Sequence, residues 1–358
     1  MNDHRDSAGH RGPDRRDFLQ AAGLVSAGLA LSESLLRAEP PPQLELSNSG
    51  PDQIPRKPFG RTRERVSVIG VGGYSLGSAP SLKAAVAIVH EAVEAGVTFF
   101  DNAWEYHDGK SEEWMGAALK GGRRDKVFLM TKVCTHGRDK KVAMKMLEDS
   151  LKRLQTDHLD LWQIHECVYD NDPERHFAKG GVIEALDQAK KQGKVRYVGF
   201  TGHKHPAIHL KMLSYNYPFD SVQMPLNPFD GTYRSFATNV LPEVNKRGIA
   251  ALGMKSLGGN GQPVTQGVVT VEEALRYAMS LPVATTISGI DSLAVLRQNL
   301  AIARGFKPMT TEEMDTLRKR CASAAGDGHL ELYKSTMKYD GDLGRAQHGL
   351  PSHKETPL

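Results

Sequence analysis

The chain has 358 residues, of which 39% are hydrophobic and 25% are charged, so it can hold one large barrel or two average domains. Its formal net charge of +4 is small for this length and lies partly in an arginine-rich amino terminus, which excludes the basic stripe of a nucleic-acid-binding protein. The three cysteines, Cys134, Cys167 and Cys321, lack a CxxC spacing, which argues against a disulfide framework, a zinc ribbon or an iron–sulfur cluster.

The amino terminus has the build of an export signal. Arg15 and Arg16 precede Phe18 and Leu19, and a run of small and apolar residues follows at positions 21–31. A basic segment before a short apolar stretch is typical of secretory signals, and RRxFL is the pattern of the twin-arginine type. We therefore expect residues 1–38 to be a twin-arginine signal, and the protein to fold in the cytoplasm before the twin-arginine export machinery carries it to the periplasm.

The alternative interpretation of this segment is a disordered basic tail with an accidental apolar run. Either way, the run is well short of the roughly 20 apolar residues of a membrane span, so we expect no stable membrane insertion. Residues 39–58, rich in proline and polar groups, are predicted to be a linker.

From Phe59 onward, short apolar segments alternate with amphipathic ones. Eight segments have strand character, at 65–73, 97–101, 126–133, 158–166, 195–202, 219–224, 249–254 and 283–289, and each precedes a segment with helical spacing. Apolar strands separated by helices predict a parallel sheet buried on both faces, and eight units in about 250 residues predict a (β/α)8 TIM barrel. We assign residues 59–325 to this single catalytic domain. Residues 326–358 form a tail without periodicity, which either folds over the barrel mouth or stays free.

An open, doubly wound sheet is the alternative fold. Its fingerprint is GxGxxG at the start of the first helix, and the stretch IGVGGYSLG at positions 69–77 supplies glycines after the first strand. These glycines follow the pattern G-x-G-G-x-x-x-G, and the next helix begins only after Pro80. The stretch is therefore interpreted as a glycine-rich loop over a barrel mouth.

Polar residues stand where the predicted strands end. Asp101 ends the second strand, Tyr106 follows in its loop, Lys132 lies at the end of the third strand and His165 at the end of the fourth. In a barrel the carboxyl ends of all strands converge on one face, so these four side chains are expected to meet.

The four residue types suit a tuned general acid beside a carbonyl group. An ammonium about 4 Å from a phenolate stabilises it by up to about 4 kcal/mol at an effective dielectric constant of about 20. Lys132 is therefore expected to lower the pKa of Tyr106. Asp101 would hold Lys132 charged, and His165 would orient a carbonyl oxygen or share the proton with the phenol. No side chain supplies hydride, so this chemistry requires a nicotinamide cofactor.

With these motifs, "FFDNAWEY", "MTKV" and "DLWQIHE", the chain resembles the aldo-keto reductases from about residue 59 to 303. The resemblance implies a barrel that binds NADPH in extended form and reduces small aldehydes or ketones to alcohols, or the reverse. It also implies that Asp101, Tyr106, Lys132 and His165 form the catalytic tetrad. Singly, each has an ordinary structural alternative, such as a helix cap, a solvated rim charge or a buried histidine.

The resemblance also implies a set of cofactor-binding positions. These are Gly72, Thr201, Gln223, Met254, Lys255, Ser256, Leu257, Gly259, Gly289, Asp291, Arg297 and Asn299.

Three positions depart from the family pattern. Met254 stands where many members stack a tyrosine on the nicotinamide, and Gly202 stands where an asparagine is common, so His203 is a candidate to replace it. Asp291 would repel a 2′-phosphate and suit a free ribose hydroxyl. NADP is expected from family habit, and NAD remains possible.

Two rival functions and one rival site stay open at this point. The first rival is a redox-sensing channel subunit, since some barrels of this family bind the cofactor with little turnover. The second is a barrel hydrolase or isomerase, which would need paired carboxylates. The strand ends offer only Asp101 and Glu166 for such a pair. His203, His205 and His209 are dense enough to suggest a metal, but no carboxylate accompanies them at helical spacing, so we expect no metal site.

Overall fold

The structure is a computed structural model that describes Leu46 and residues 52–134 and 139–355. The predicted export signal and most of the predicted linker lie outside these residues. Within them, no helix is long and apolar enough to cross a membrane.

The core of the fold is a closed barrel of eight parallel strands, preceded by a two-stranded hairpin. The hairpin strands are β1 (Arg56–Pro58) and β2 (Arg65–Ser67), and the barrel strands are β3 (Ile69–Gly72), β4 (Phe99–Asp101), β5 (Phe128–Val133), β6 (Leu159–Ile164), β7 (Val195–Thr201), β8 (Ser221–Pro225), β9 (Ala250–Met254) and β10 (Thr285–Gly289). Neighbours in the barrel follow chain order, and β10 pairs with β3 to close it. The predicted (β/α)8 TIM barrel is confirmed.

Helices connect the strands and cover the outside of the barrel. They are α1 (Gly73–Gly77), α2 (Leu82–Glu94), α3 (Lys110–Ala118), α4 (Lys140–Leu154), α5 (Asp172–Phe177), α6 (Val182–Lys191), α7 (Pro206–Ser214), α8 (Phe236–Asn239), α9 (Leu241–Lys246), α10 (Gln262–Thr265), α11 (Val271–Ser280), α12 (Leu293–Ala303), α13 (Thr311–Ala325), α14 (Leu332–Ser335) and α15 (Asp342–Gln347). Short 3-10 turns lie at Tyr106–Gly109, Arg124–Lys126, Asp230–Thr232 and His353–Glu355.

Burial explains why the strands lack alternating polarity. Every residue of β5 and β6 is buried, because one face of each strand fills the barrel interior and the other packs against helices. Helices such as α11 begin with a capping box, in which Thr270 and Glu273 each accept from the other's backbone N–H. The alternation of apolar strands and amphipathic helices in the sequence thus follows from a sheet that is buried on both faces.

The first predicted strand differs from the structure. Positions 65–73 divide into β2, which pairs antiparallel with β1, and β3, the first barrel strand. Apolar burial stabilises β2 in this position, because its Val66 packs with Phe59, Phe99 and Phe128 in a core cluster separate from the main one. Strand β1 lies at the end of the segment that we predicted to be a linker.

The predicted glycine-rich loop over the barrel mouth is also wrong in detail. Gly73–Gly77 form the short helix α1. A Cβ atom at Gly73 would lie 2.6 Å from the Asp101 carbonyl oxygen, and one at Gly77 would lie 2.4 Å from the His107 ring. The glycines therefore permit close approach of α1 to the loop that carries Tyr106.

The carboxyl-terminal tail folds over the barrel mouth. Lys334, on α14, is fully buried and donates to Asp230 at 2.6 Å and to Glu331 at 2.8 Å. Asn227, just after β8, donates to Glu331 at 3.0 Å and to Tyr333 at 2.9 Å. Of the two possibilities that the sequence left open for this segment, the structure shows the first.

Candidate active site

Asp101, Lys132 and Tyr106 meet at the carboxyl end of the barrel. Asp101 ends β4, Lys132 lies one residue before the end of β5, and Tyr106 begins the turn after β4. Lys132 Nζ forms an ion pair with the Asp101 carboxylate and donates to the Asn102 carbonyl oxygen at 2.7 Å and to the Tyr106 hydroxyl at 3.3 Å. Both charged side chains are buried. The structure thus brings three of the four predicted catalytic residues into one hydrogen-bonded group.

The pKa of Tyr106 moves opposite to the prediction. Burial, and then the carboxylates of Asp101, Glu105 and Glu166, hold the pKa of its hydroxyl well above the ordinary value. The Lys132 ammonium does not reverse this, because its charge is shared with the adjacent Asp101. The phenol therefore stays protonated across the neutral range.

His165, the fourth predicted residue, stands beside Tyr106. It follows β6 directly, and its ring meets the Tyr106 ring edge-on, with centroids 5.6 Å apart and an interplanar angle of 81°. Its Nδ1 atom is hydrogen-bonded to Oε1 of Glu105. The next residue, Glu166, has a left-handed backbone with φ of 53°, and its carboxylate accepts the backbone N–H of Gly341 at 2.6 Å.

Gln223, on β8, links Asp101 to the end of β9 by side-chain contacts. Its Nε2 donates to the Asp101 carboxylate at 2.8 Å and contacts the Met254 sulfur at 3.7 Å. Thr201 is its partner across the β7–β8 ladder, and Gly72 is the partner of Asp101 across β3–β4. Gln223 Oε1 is buried and has no hydrogen-bond partner among the described residues.

The segment after β9 lies beneath the tail. Lys255 has a left-handed backbone with φ of 58°, and its ammonium lies 5.3 Å from the ring centre of Tyr333 and 5.5 Å from that of Tyr339. Burial lowers the pKa of Lys255 to about 8. Ser256 Oγ is buried without a partner in the described part of the chain, Leu257 packs on the main core, and Gly259 is exposed with φ of 82°.

The predicted residues after β10 do not form one cluster. Gly289 pairs with Gly72 in the sheet, whereas Asp291 is exposed two positions farther on. Arg297 makes a two-pronged ion pair with Glu91 on α2, at 2.8 and 2.9 Å, and its side chain is 66% exposed. Asn299 is buried and donates to Ser288 Oγ at 3.0 Å.

The histidines after β7 face different partners. His203 Nε2 lies 3.7 Å from Asp340 of the tail, His205 caps α7, and His209 lies 3.4 Å from the Gln223 carbonyl oxygen. Gly202 is required by space, because a Cβ atom there would lie 2.2 Å from the Cys167 carbonyl oxygen. His203 thus faces the tail. Among the described residues, no group of three metal-ligating side chains is found.

Glu105 and the tail residues that border the site were not predicted from the sequence. Glu105 immediately precedes Tyr106, and a carboxylate beside a predicted catalytic residue was a visible signal. Tyr333, Tyr339 and Asp340 gave no such signal, because their segment has no periodicity and contacts the site only through tertiary structure.

A comparison with protein-family models decides the family. The model described as "Aldo/keto reductase family" matches residues 68–262, which is more than half of the chain. The chain belongs to the aldo/keto reductase family.

Individual aldo/keto reductases and related proteins agree with this. The uncharacterized oxidoreductase YqkF of Bacillus subtilis is 27% identical over 305 residues, covering 74% of this chain and 95% of that protein. The methylglyoxal reductase YeaE of Escherichia coli is 36% identical over 132 residues, covering 37% of this chain and 44% of that enzyme. A solved aldo-keto reductase from Bacillus halodurans, in its holo form, has a TM-score of 0.63 at 24% identity, covering 78% of this chain and 100% of that one, which shows the shared fold.

Proposed function

We propose that this aldo/keto reductase uses a nicotinamide cofactor to reduce an aldehyde or ketone to an alcohol, or to run the reverse reaction, with Tyr106 as the general acid or base. The observation that carries the proposal is the contact of the Lys132 ammonium with the Tyr106 hydroxyl at 3.3 Å, beside His165 at the barrel mouth. Proton donors arranged in this way suit a carbonyl oxygen that gains negative charge in the transition state.

The residues around the tetrad fit such a cofactor. Buried polar atoms normally have partners, yet Gln223 Oε1 and Ser256 Oγ have none among the described residues. Gln223 Oε1 would accept from a carboxamide, and Ser256 with Lys255 would contact the pyrophosphate. A structurally similar aldo-keto reductase from Klebsiella pneumoniae, solved with NADP and acetate, has a TM-score of 0.59 at 21% identity and covers 73% of this chain and 93% of its own.

Each member of the tetrad has one task in the reaction. When bound, the cofactor supplies the hydride that no side chain can provide. Tyr106 gives its proton to the carbonyl oxygen, and Lys132 stabilises the phenolate that remains. Asp101 keeps Lys132 charged and fixed in place, and His165 orients the oxygen. A purely cofactor-sensing subunit is not favoured, because all four groups are present and three are hydrogen-bonded together.

The test is reduction of a panel of small aldehydes and ketones with NADH or NADPH, together with identification of any nucleotide released on denaturation. Tyr106→Phe should lower kcat by about 10²–10⁴-fold and leave nucleotide binding near normal, because general acid catalysis is usually worth that much. Tyr74→Phe is the matched control, since its ring contacts that of Tyr106 with centroids 5.4 Å apart but is 62% exposed. If Tyr106→Phe retains activity within about tenfold, Tyr106 is not the general acid.

We further propose that the protein is exported to the periplasm by the twin-arginine route. The support is the pattern of Arg15, Arg16, Phe18 and Leu19 before a short apolar run. Cell fractionation of the full chain and of an Arg15→Lys, Arg16→Lys variant tests this. Equal distribution of the two between compartments would contradict it.

A further inference from the structure

The contact between Glu105 and His165 is not one of the tetrad's own interactions. Glu105 lies in the loop after β4, and its Oε1 is hydrogen-bonded to Nδ1 of His165, which follows β6. The two residues are 60 positions apart in the chain, so only the closed barrel brings them together. The same loop carries Tyr106, whose ring meets the histidine ring edge-on.

The environment of Glu105 favours its ionised form. Its side chain is only 21% exposed, and its Oε2 is buried with no partner in the described part of the chain. Burial alone would raise the pKa of this carboxyl, but the charge of His165 and the hydrogen bond from it, with help from Lys132, bring the pKa below its ordinary value. A carboxylate in this position needs a hydrogen-bond donor, and Nδ1 of His165 is the side-chain atom hydrogen-bonded to it.

We propose that Glu105 is a positioning residue that holds a proton on Nδ1 of His165 and thereby presents Nε2 to the substrate oxygen. This rests on the proposed function, because it assigns a state to one member of the proposed tetrad. An imidazole whose Nδ1 carries the proton can accept through Nε2 when neutral and can donate through Nε2 only when doubly protonated. The charged ring would therefore donate through Nε2 to the substrate oxygen in both directions, because reduction and alcohol oxidation pass through the same transition state.

Other charges at the barrel mouth belong to the pH dependence of this pair. Lys132 on β5 acts on Glu105 itself, and Asp101 on β4 and Glu166 after β6 act on the adjacent Tyr106. Lys255 after β9 acts in turn on Glu166, Lys132 and Asp101. Asp101 is paired with Lys132, and Glu166 accepts the Gly341 N–H, whereas Glu105 alone is hydrogen-bonded to the His165 ring. Glu105 is therefore the carboxylate whose removal should affect the ring most directly.

The direct test is ¹⁵N NMR of histidine-labelled protein, with the His165 signal identified from a His165→Gln sample. In wild type, Nδ1 should stay protonated from about pH 5.5 to 9, whether or not Nε2 is protonated. In Glu105→Gln the neutral ring should also populate the form protonated on Nε2, because the amide can either donate or accept. A wild-type ring that carries its neutral-state proton on Nε2 overturns the proposal. This measurement needs no turnover, so it stands apart from the proposed function.

Kinetics separate this role from simple anchoring of the loop. For Glu105→Gln, kcat/KM for reduction should fall about tenfold at alkaline pH and by less in acid, because the neutral amide does not favour a charged ring as the carboxylate does. Asp108→Asn is the matched control: it makes the same charge change on the same loop, at an exposed position whose left-handed φ of 56° suits asparagine. A loss that is equal at all pH values, or no loss, would contradict the proposal.

Discussion

The Lys132 ammonium forms a buried ion pair with Asp101 while it also donates to the Tyr106 hydroxyl at 3.3 Å. One side chain therefore serves both stability and the proposed chemistry. Lys132→Met should abolish carbonyl reduction, since the phenolate loses its nearest cation. It should also cost about 3–5 kcal/mol in the free energy of unfolding, because a buried carboxylate is left unpaired. Denaturant unfolding and steady-state kinetics measure the two effects.

A second substitution separates the effect on stability from the effect on activity. In Asp101→Asn with Lys132→Met the buried negative charge is gone, while Gln223 Nε2 keeps an amide oxygen to which it can donate. Most of the lost stability should return, but activity should not. Recovery of activity in the double variant would show that Lys132 acts only by neutralising Asp101.

The second prediction concerns the cofactor. Asp291 is exposed after β10, and Arg297, one of the predicted cofactor-binding residues, is already paired with Glu91. A 2′-phosphate would thus meet a carboxylate and no uncommitted arginine in this loop, so NADH should bind at least as tightly as NADPH. Asp291→Arg should improve NADPH binding by about tenfold, and Glu91→Gln, which releases Arg297, should act in the same direction.

Binding titrations of both nucleotides measure this preference. Glu312→Arg, at an exposed position on α13, is the control for net charge alone. A wild-type preference for NADPH of about a hundredfold, unchanged in both loop variants, would show that the phosphate is held elsewhere.

The tetrad could be predicted from the sequence because a parallel barrel gathers its strand ends whatever its loops do. Asp101 and Lys132 lie on strands whose apolar pattern fixes their ends to within a residue or two, and His165 follows such a strand. Each local pattern therefore carried information about a distant contact.

The pKa of Tyr106 and the partner of His165 could not be predicted in this way. Both depend on how deeply the turn after β4 is buried and on where its carboxylates point, and this turn contains left-handed residues at His107 and Asp108. The docking of the tail depends on a contact between Lys334 and Asp230, 104 positions apart. No local periodicity predicts that a lysine will be buried against two carboxylates.

The third prediction concerns that tail. Lys334→Met leaves Asp230 and Glu331 buried without their shared cation, so the tail should detach from the barrel mouth. We expect faster limited proteolysis after residue 325 and a lower melting temperature, followed by a higher KM for substrate, because Gly341 and Asp340 no longer border the site. Lys338→Met, on the same segment but exposed, should change none of these. Proteolysis rates that match wild type would show that Tyr333 and Asn227 hold the tail without the ion pair.

The last prediction concerns Lys57, which is buried at the opposite end of the barrel from the tetrad. Its Nζ donates to the carbonyl oxygens of Met279 at 2.5 Å and Leu281 at 3.3 Å, at the carboxyl end of α11. Burial lowers its pKa from 10.5 to about 7. Between these values the unfolded chain holds a proton that the folded chain has released, so this group makes stability rise with pH over that window, by up to about 1.4 kcal/mol per pH unit.

Lys57→Met should remove this slope, because methionine occupies similar space and does not titrate. The free energy of unfolding should then depend less on pH between about 7 and 10 than in wild type, and the gain in stability over wild type should be largest at about pH 7. Lys83→Met, at an exposed position on α2, should leave the slope unchanged. If the wild-type and Lys57→Met curves are parallel, the ammonium stays charged in the folded protein, and the two helix-end carbonyls offset its burial.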